Sequence, residues 1–173
     1  MKKILALLIV TVCVYDAFSQ TKFTTSMFGP YEARAIGPAV MGGRITAIEG
    51  LPSDARTIYV GTAAGGIWKS TTGGTIFKPI FDKYTQSIGA MAIDPQNEKT
   101  IWAGTGESNM RNSVSYGAGI YKTTDAGDNW QLMGLDSTEH ISKIAIDAKN
   151  SNTVYVACPG PLWSDSPHRG LYK

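Results

Sequence analysis

Apolar residues along the chain fall into short runs separated by turn-forming stretches, and the runs recur in a fixed order. Ile45-Thr46-Ala47, Ile88-Gly89-Ala90 and Ile141-Ser142-Lys143 each begin twelve residues ahead of a threonine that opens a second run. Those second runs are Thr57-Ile58-Tyr59-Val60-Gly61, Thr100-Ile101-Trp102-Ala103-Gly104 and Thr153-Val154-Tyr155-Val156-Ala157. A third run follows each: Gly66-Ile67-Trp68-Lys69-Ser70-Thr71, then Gly119-Ile120-Tyr121-Lys122-Thr123-Thr124, then Gly170-Leu171-Tyr172-Lys173. Two copies continue into a fourth, Phe77-Lys78-Pro79-Ile80 and Trp130-Gln131-Leu132-Met133. Short β-branched and aromatic runs bounded by Gly, Pro, Asn and Asp predict strands. No useful window repeats its apolar residues at helical spacing.

Measured between the isoleucines, the repeat is 43 and then 53 residues. Four-strand units of that length predict an all-β fold, a β-propeller of four-stranded antiparallel blades. The expected blades are residues 44–83, 87–135 and an incomplete 140–173. Ala33-Arg34-Ala35-Ile36 stands nine residues ahead of Ile45, much as Ile80 and Met133 stand eight ahead of their own first strands. Residues 33–37 are therefore expected to be a closing strand. The third unit reaches Lys173 partway through its pattern, so the chain is expected to be the N-terminal fragment of a propeller, with the remaining blades as partners. Two complete blades and part of a third leave sheet edges unpaired.

The beginning of the chain is an address rather than a blade. Lys2 and Lys3 precede an apolar run from Ile4 to Val14, and Ala17-Phe18-Ser19 places small residues where a signal peptidase cuts. A signal peptide over residues 1–19 is expected, cleaved before Gln20, with a lead-in over 20–32. This eleven-residue run falls short of the roughly 20 that span a bilayer. Val12 ahead of Cys13 argues against a lipoprotein, so a secreted or periplasmic protein is expected. Cleavage leaves Cys158 alone, which excludes a disulfide within the mature segment.

Composition narrows the partners. The chain has formal net charge +2 and 17% charged residues, too near neutrality for a nucleic-acid surface. His140 and His168 are the only histidines and stand 28 residues apart, so no metal site and no cofactor are expected, and each reads as a surface histidine. Gly61-Thr62-Ala63-Ala64-Gly65-Gly66 is glycine-rich but lacks the helix and lysine of a phosphate loop.

Thr123-Thr124-Asp125-Ala126-Gly127-Asp128-Asn129-Trp130 fits the pattern Ser/Thr-x-Asp-x-Gly-x-x-Trp. Asp125 is expected to accept turn amides, Gly127 to take a conformation other residues resist, and Trp130 to bury its ring. Ser70-Thr71-Thr72-Gly73-Gly74-Thr75-Ile76-Phe77 is a worn copy, with Thr72 for the aspartate and Phe77 for the tryptophan. On these residues, and on Ile36-Gly37-Pro38, Gly42-Gly43-Arg44 and Gly104-Thr105-Gly106-Glu107, the chain resembles secreted bacterial Asp-box (BNR) propellers. These are sortilin-like (VPS10-like) proteins, often labelled glycosyl hydrolase. The resemblance implies a fold more firmly than a job, since its members include hydrolases, receptors and assembly factors.

Alternating strand directions put the second-to-third loops and the interblade linkers on one face. From the strand-two threonine to the strand-three apolar residue is ten positions in the first unit, 20 in the second and 18 in the third. Loops that lengthen on one face are where binding surfaces arise. Arg44, Arg111, Tyr116, Trp163, His168 and Arg169 are the expected ligand-binding residues on that face, with Glu139 and His140 projecting toward it. Glu107 is the catalytic candidate, although pairing with Arg44 or Arg111 would make it structural instead. Three readings follow: a module binding a glycan or peptide, a glycoside hydrolase that needs a second carboxylate such as Asp165 or Glu139, and a structural or assembly scaffold. The Phe/Tyr-Arg-Ile-Pro motif of sialidases is absent, so a hydrolase here is expected to resemble the xyloglucan-cleaving type.

Overall fold

A computed structural model describes Thr24 and residues 44–173. The expected signal peptide, the lead-in apart from Thr24, and the closing strand at 33–37 lie outside the described residues. Between 44 and 173 the chain is all strand, turn and loop.

Among the described residues, eleven strands form three sheets, each a meander in chain order. The first holds β1 (Ile45–Gly50), β2 (Ile58–Thr62), β3 (Ile67–Ser70) and β4 (Lys78–Pro79); the second holds β5 (Ile88–Asp94), β6 (Asn97–Thr105), β7 (Ile120–Thr123) and β8 (Gln131–Gly134). The third holds β9 (Lys143–Asp147), β10 (Asn150–Cys158) and β11 (Gly170–Tyr172). Pairing is antiparallel throughout, and the register repeats. Val60 stands opposite Ile48 and Trp68, Ala103 opposite Met91 and Tyr121, and Val156 opposite Ile144 and Tyr172. One difference from the repeat concerns Ile141, which precedes β9. Its amide donates to the Thr105 carbonyl of the second sheet (3.1 Å), so the chain is still leaving one sheet before it joins the next.

The sheets pack through two cores. Tyr59, Ile67, Phe81, Ile88, Ile101, Tyr121 and Trp130 fill the space between the first and second. Phe81 meets the edges of Tyr121 and Trp130 at 5.2 and 5.1 Å, a geometry worth about 1 kcal/mol per pair beyond burial. Ala90, Ile120, Ile141, Ile144, Val154, Val156 and Cys158 fill the second interface. Cys158 is buried, and that burial pushes its thiol pKa up.

Aspartates cap the tight turns. Asp94 Oδ1 accepts the Gln96 amide (2.9 Å) and Asp147 Oδ1 the Lys149 amide (2.8 Å), the local bonds that favour Asp at turns. The turn from β7 to β8 is bonded more densely. Thr123 Oγ1 accepts the Gly127 amide (3.1 Å) and donates to Asp125 Oδ1 (2.6 Å), which also accepts the Asn129 amide (2.9 Å). Gly127 has φ +101°, and a Cβ there would come within 2.5 Å of Ile80 Cδ1, so both conformation and space select glycine.

The turn from β3 to β4 has the same wiring with a weaker acceptor. Ser70 Oγ accepts the Gly74 amide (3.0 Å), and the Thr72 hydroxyl, in place of a carboxylate, accepts the Ile76 amide (2.9 Å). In the charged version, the Thr123 hydroxyl and the Asn129 amide groups hold the Asp125 pKa well below the usual carboxylate range. An Asp whose folded pKa lies below its unfolded value of about 3.9 contributes stability above that value, and loses it as pH falls through the folded pKa. Asp125→Asn is therefore expected to flatten the decline in thermal stability below about pH 4. Thermal unfolding of both proteins across pH 2–7 checks this, and parallel curves would contradict it.

Candidate functional site

Because the strands alternate, the β2–β3, β6–β7 and β10–β11 loops share a rim with the β4–β5 and β8–β9 linkers. Backbone bonds lace that rim: Gly66 N to Gln86 O (2.8 Å), Gly106 N to Ser87 O (2.8 Å) and Gly117 N to Glu139 O (2.7 Å). Gly106, at φ +86°, lies so close to the third-sheet linker that a Cβ would collide with the Glu139 carbonyl. That close approach sets where the next residue, Glu107, can point.

The Glu107 amide donates to Ser87 Oγ (3.0 Å), which in turn donates to the Ser115 carbonyl (3.0 Å). Its carboxylate is clamped from both sides by one guanidinium: Arg44 Nε donates to Oε1 (2.9 Å) and Arg44 Nη2 to Oε2. The Glu107 side chain is 1% exposed and that of Arg44 is 42% exposed. A bidentate fork of this kind fixes orientation as well as charge. The pair forms one wall of a pocket of 250 Å³, which Ala63, Ala64, Arg111, Ser113 and Ser115 complete. Two arginines, one carboxylate and two serines thus line it.

The other expected residues distribute unevenly. Tyr116 is exposed, and its ring lies 5.7 Å from that of His140. His140 itself is fully buried, which corrects the expectation of a surface histidine. The cause is tertiary: the β6–β7 loop folds back through Gly117 N to Glu139 O and Ala118 N to Thr105 Oγ1 (2.7 Å), covering the ring. Burial holds the His140 pKa down against the pull of the Glu139 carboxylate and of Glu107, whose backbone and carboxylate both lie near the ring.

Trp163, His168 and Arg169 are exposed and do not line the pocket. The Arg169 guanidinium is engaged within its own loop, donating to the carbonyls of Pro159, Pro161 (2.8 Å) and Ser164 (2.9 Å). Asp165 and Glu139 are not pocket residues either. Sequence reasoning missed Ser87, which positions the Glu107 backbone. A lone serine ahead of a strand gives no signal of that role. Among the described residues, no group of three or more His, Cys, Asp or Glu could hold a metal ion. No helix among them is long and apolar enough to cross a membrane.

No protein-family profile matches the chain, nor does any curated protein. Solved structures do resemble it. An ancestral GH74 enzyme is similar over 70% of this chain, with 23% identity and a TM-score of 0.55. The GH74 enzyme of Niastella koreensis is similar over 65%, with 26% identity and a TM-score of 0.52. Both are β-propellers. The sheets are propeller blades. The chain spans 17% of the length of each of those two proteins, and the two four-stranded blades and the three strands of the third follow one another as blades do in that fold.

Proposed function

We propose that this chain belongs to an extracytoplasmic propeller that binds a glycan or peptide in the pocket bounded by Arg44, Glu107, Arg111, Ser113 and Ser115. The observation that carries the reading is the state of Glu107. Buried and held by both arms of Arg44, it anchors the wall, while Arg111 and the serine hydroxyls remain open to a ligand. The exposed rings of Tyr116 and Trp163 add stacking surfaces of the kind sugars and aromatic side chains use. Likeness to a GH74 enzyme at 26% identity favours a glycan over a peptide. Export rests on the Lys2-Lys3, apolar and Ala17-Phe18-Ser19 pattern at the start of the chain.

Arrays of neutral β-glucan oligosaccharides, uronic-acid oligosaccharides and peptides test this directly. Arg111→Ala is expected to weaken binding of the best array ligand by roughly tenfold, the loss of one charged hydrogen bond, with the melting temperature unchanged. Binding equal to wild type would remove Arg111 from the site. Unchanged binding after all three charges are altered in turn would favour a scaffold.

The same likeness supports a second reading, glycoside hydrolysis of the xyloglucanase type with Glu107 as one carboxylate. That chemistry needs a carboxylate free to exchange protons or attack and a second one about 5–10 Å away. Release of reducing ends from a β-glucan panel by wild type, abolished in Glu107→Gln, would replace binding with catalysis as the preferred reading.

A further inference from the structure

Charge in the pocket at Glu107 does not balance. Arg44 and Arg111 are positive and Glu107 is the one carboxylate among the lining residues, so the lining is formally +1. Glu107 cannot serve both arginines. Its two oxygens are taken by Arg44 Nε and Nη2, and its amide is tied to Ser87 Oγ. Turning toward Arg111 would break a bidentate bond to a buried carboxylate, which is costly. Arg111 itself makes no ion pair or hydrogen bond among the described residues, and neither does the hydroxyl of Ser113 or Ser115.

Arg44 grips Glu107 through one side of its guanidinium, the side carrying Nε and Nη2. Its Nη1 end donates to nothing among the described residues, and the side chain is partly exposed. Guanidinium groups are donors only, whereas hydroxyls both donate and accept. The uncommitted polar groups of the lining are therefore the N–H groups of Arg111 and of Arg44 Nη1, with the two serine hydroxyls beside them. A neutral sugar hydroxyl brings a proton that needs an acceptor, and the oxygens of Glu107 are already engaged. A carboxylate brings acceptors alone, is planar like the fork it meets, and carries the one negative charge that cancels the excess. At 250 Å³ the pocket is smaller than the roughly 300–1,000 Å³ of ordinary small-molecule sites, so it takes one unit of a longer ligand.

We propose that the pocket is a subsite for one uronic acid residue of an acidic polysaccharide. Its carboxylate lies between Arg111 and the free end of Arg44, while Ser113 and Ser115 take hydroxyls of the sugar ring. The exposed ring of Tyr116, next in sequence to Ser115, offers a stacking surface for a neighbouring sugar. This subsite presupposes that the pocket binds a ligand at all, as proposed above, and it restricts that ligand to acidic glycans. A neutral β-glucan would leave both guanidinium edges to water.

The test titrates the whole chain at pH 7 with trisaccharides of β-1,4-glucuronic acid and of α-1,4-galacturonic acid. Each is measured beside its neutral parent, which has CH₂OH in place of every carboxylate. Calorimetry is expected to show at least one uronate binding about 30-fold more tightly than its parent, the worth of charge-assisted bonds to two guanidiniums. Arg111→Ala should remove about tenfold of that preference and hardly change binding of the parent. Arg111→Lys should recover only part of it, since the charge returns without the fork. The parent sugars alter only the ligand, so the comparison holds even if an arginine variant folds poorly. Uronate and parent binding alike, with Arg111→Ala weakening both, would overturn the carboxylate and leave the pocket a site for neutral glycans. If none of the four binds, the subsite falls, and the pocket survives as a binding site only through an array ligand whose binding depends on Arg111. Tighter binding of an acidic peptide than of either uronate would also overturn the proposal, assigning the pocket to a peptide carboxylate.

Discussion

Arg44→Ala is expected to destabilise this protein by about 3 kcal/mol, the cost of leaving a charged, buried acceptor without its hydrogen bonds. The effect is large because of which partner remains. Glu107 is 1% exposed, so losing Arg44 leaves a largely desolvated carboxylate without its bidentate partner. Glu107→Gln does the reverse: it leaves a guanidinium that is 42% exposed and can rehydrate, so it should cost only about 1–2 kcal/mol. Replacing both by apolar residues of similar volume, Arg44→Met with Glu107→Leu, should recover most of the loss. Urea denaturation of the four proteins measures the differences. Equal costs for the two single changes would mean that the pair is effectively solvated.

Trp130→Ala should cost about 3–5 kcal/mol, as large-to-small changes at buried aromatics do. Its ring is 7% exposed, packs edge-on to Phe81 at 5.1 Å and donates to the Ile80 carbonyl. The change therefore opens a cavity between two blades and leaves a carbonyl unpaired. Phe77 occupies the same place in the first blade's turn but is 37% exposed. Phe77→Ala should cost less than about 1.5 kcal/mol, since little cavity forms at a half-open site. Chemical denaturation of the two variants side by side is the comparison, and equal losses would show that the turns are equally anchored.

The blades were legible because their signals are local and repeated. Ile45, Ile88 and Ile141 with their following threonines mark the same two strands three times, and the Asp94 and Asp147 turns close over two residues. The worn turn was legible too, down to Thr72 standing where Asp125 stands. The Arg44–Glu107 contact was one of two pairings the residues allowed, and only the interblade packing selects it. His140 reads as exposed because it follows a glutamate in a polar linker. Its burial depends on a loop twenty residues away folding back over it. Arg169 reads as a free fork for the same reason, since nothing near it in sequence shows that three carbonyls of its own loop converge on it. Local pattern carries the scaffold, then, and the site is made by segments that meet only after the blades are stacked.

Cys158, buried at the C-terminal end of β10 with its ionised form disfavoured, is shielded from thiol chemistry. Disulfide exchange proceeds through an accessible thiolate, and Cys158 in the folded blade offers none. Crosslinking through Cys158 is thereby confined to forms in which the third blade has come apart, so integrity of that blade guards this thiol against covalent aggregation.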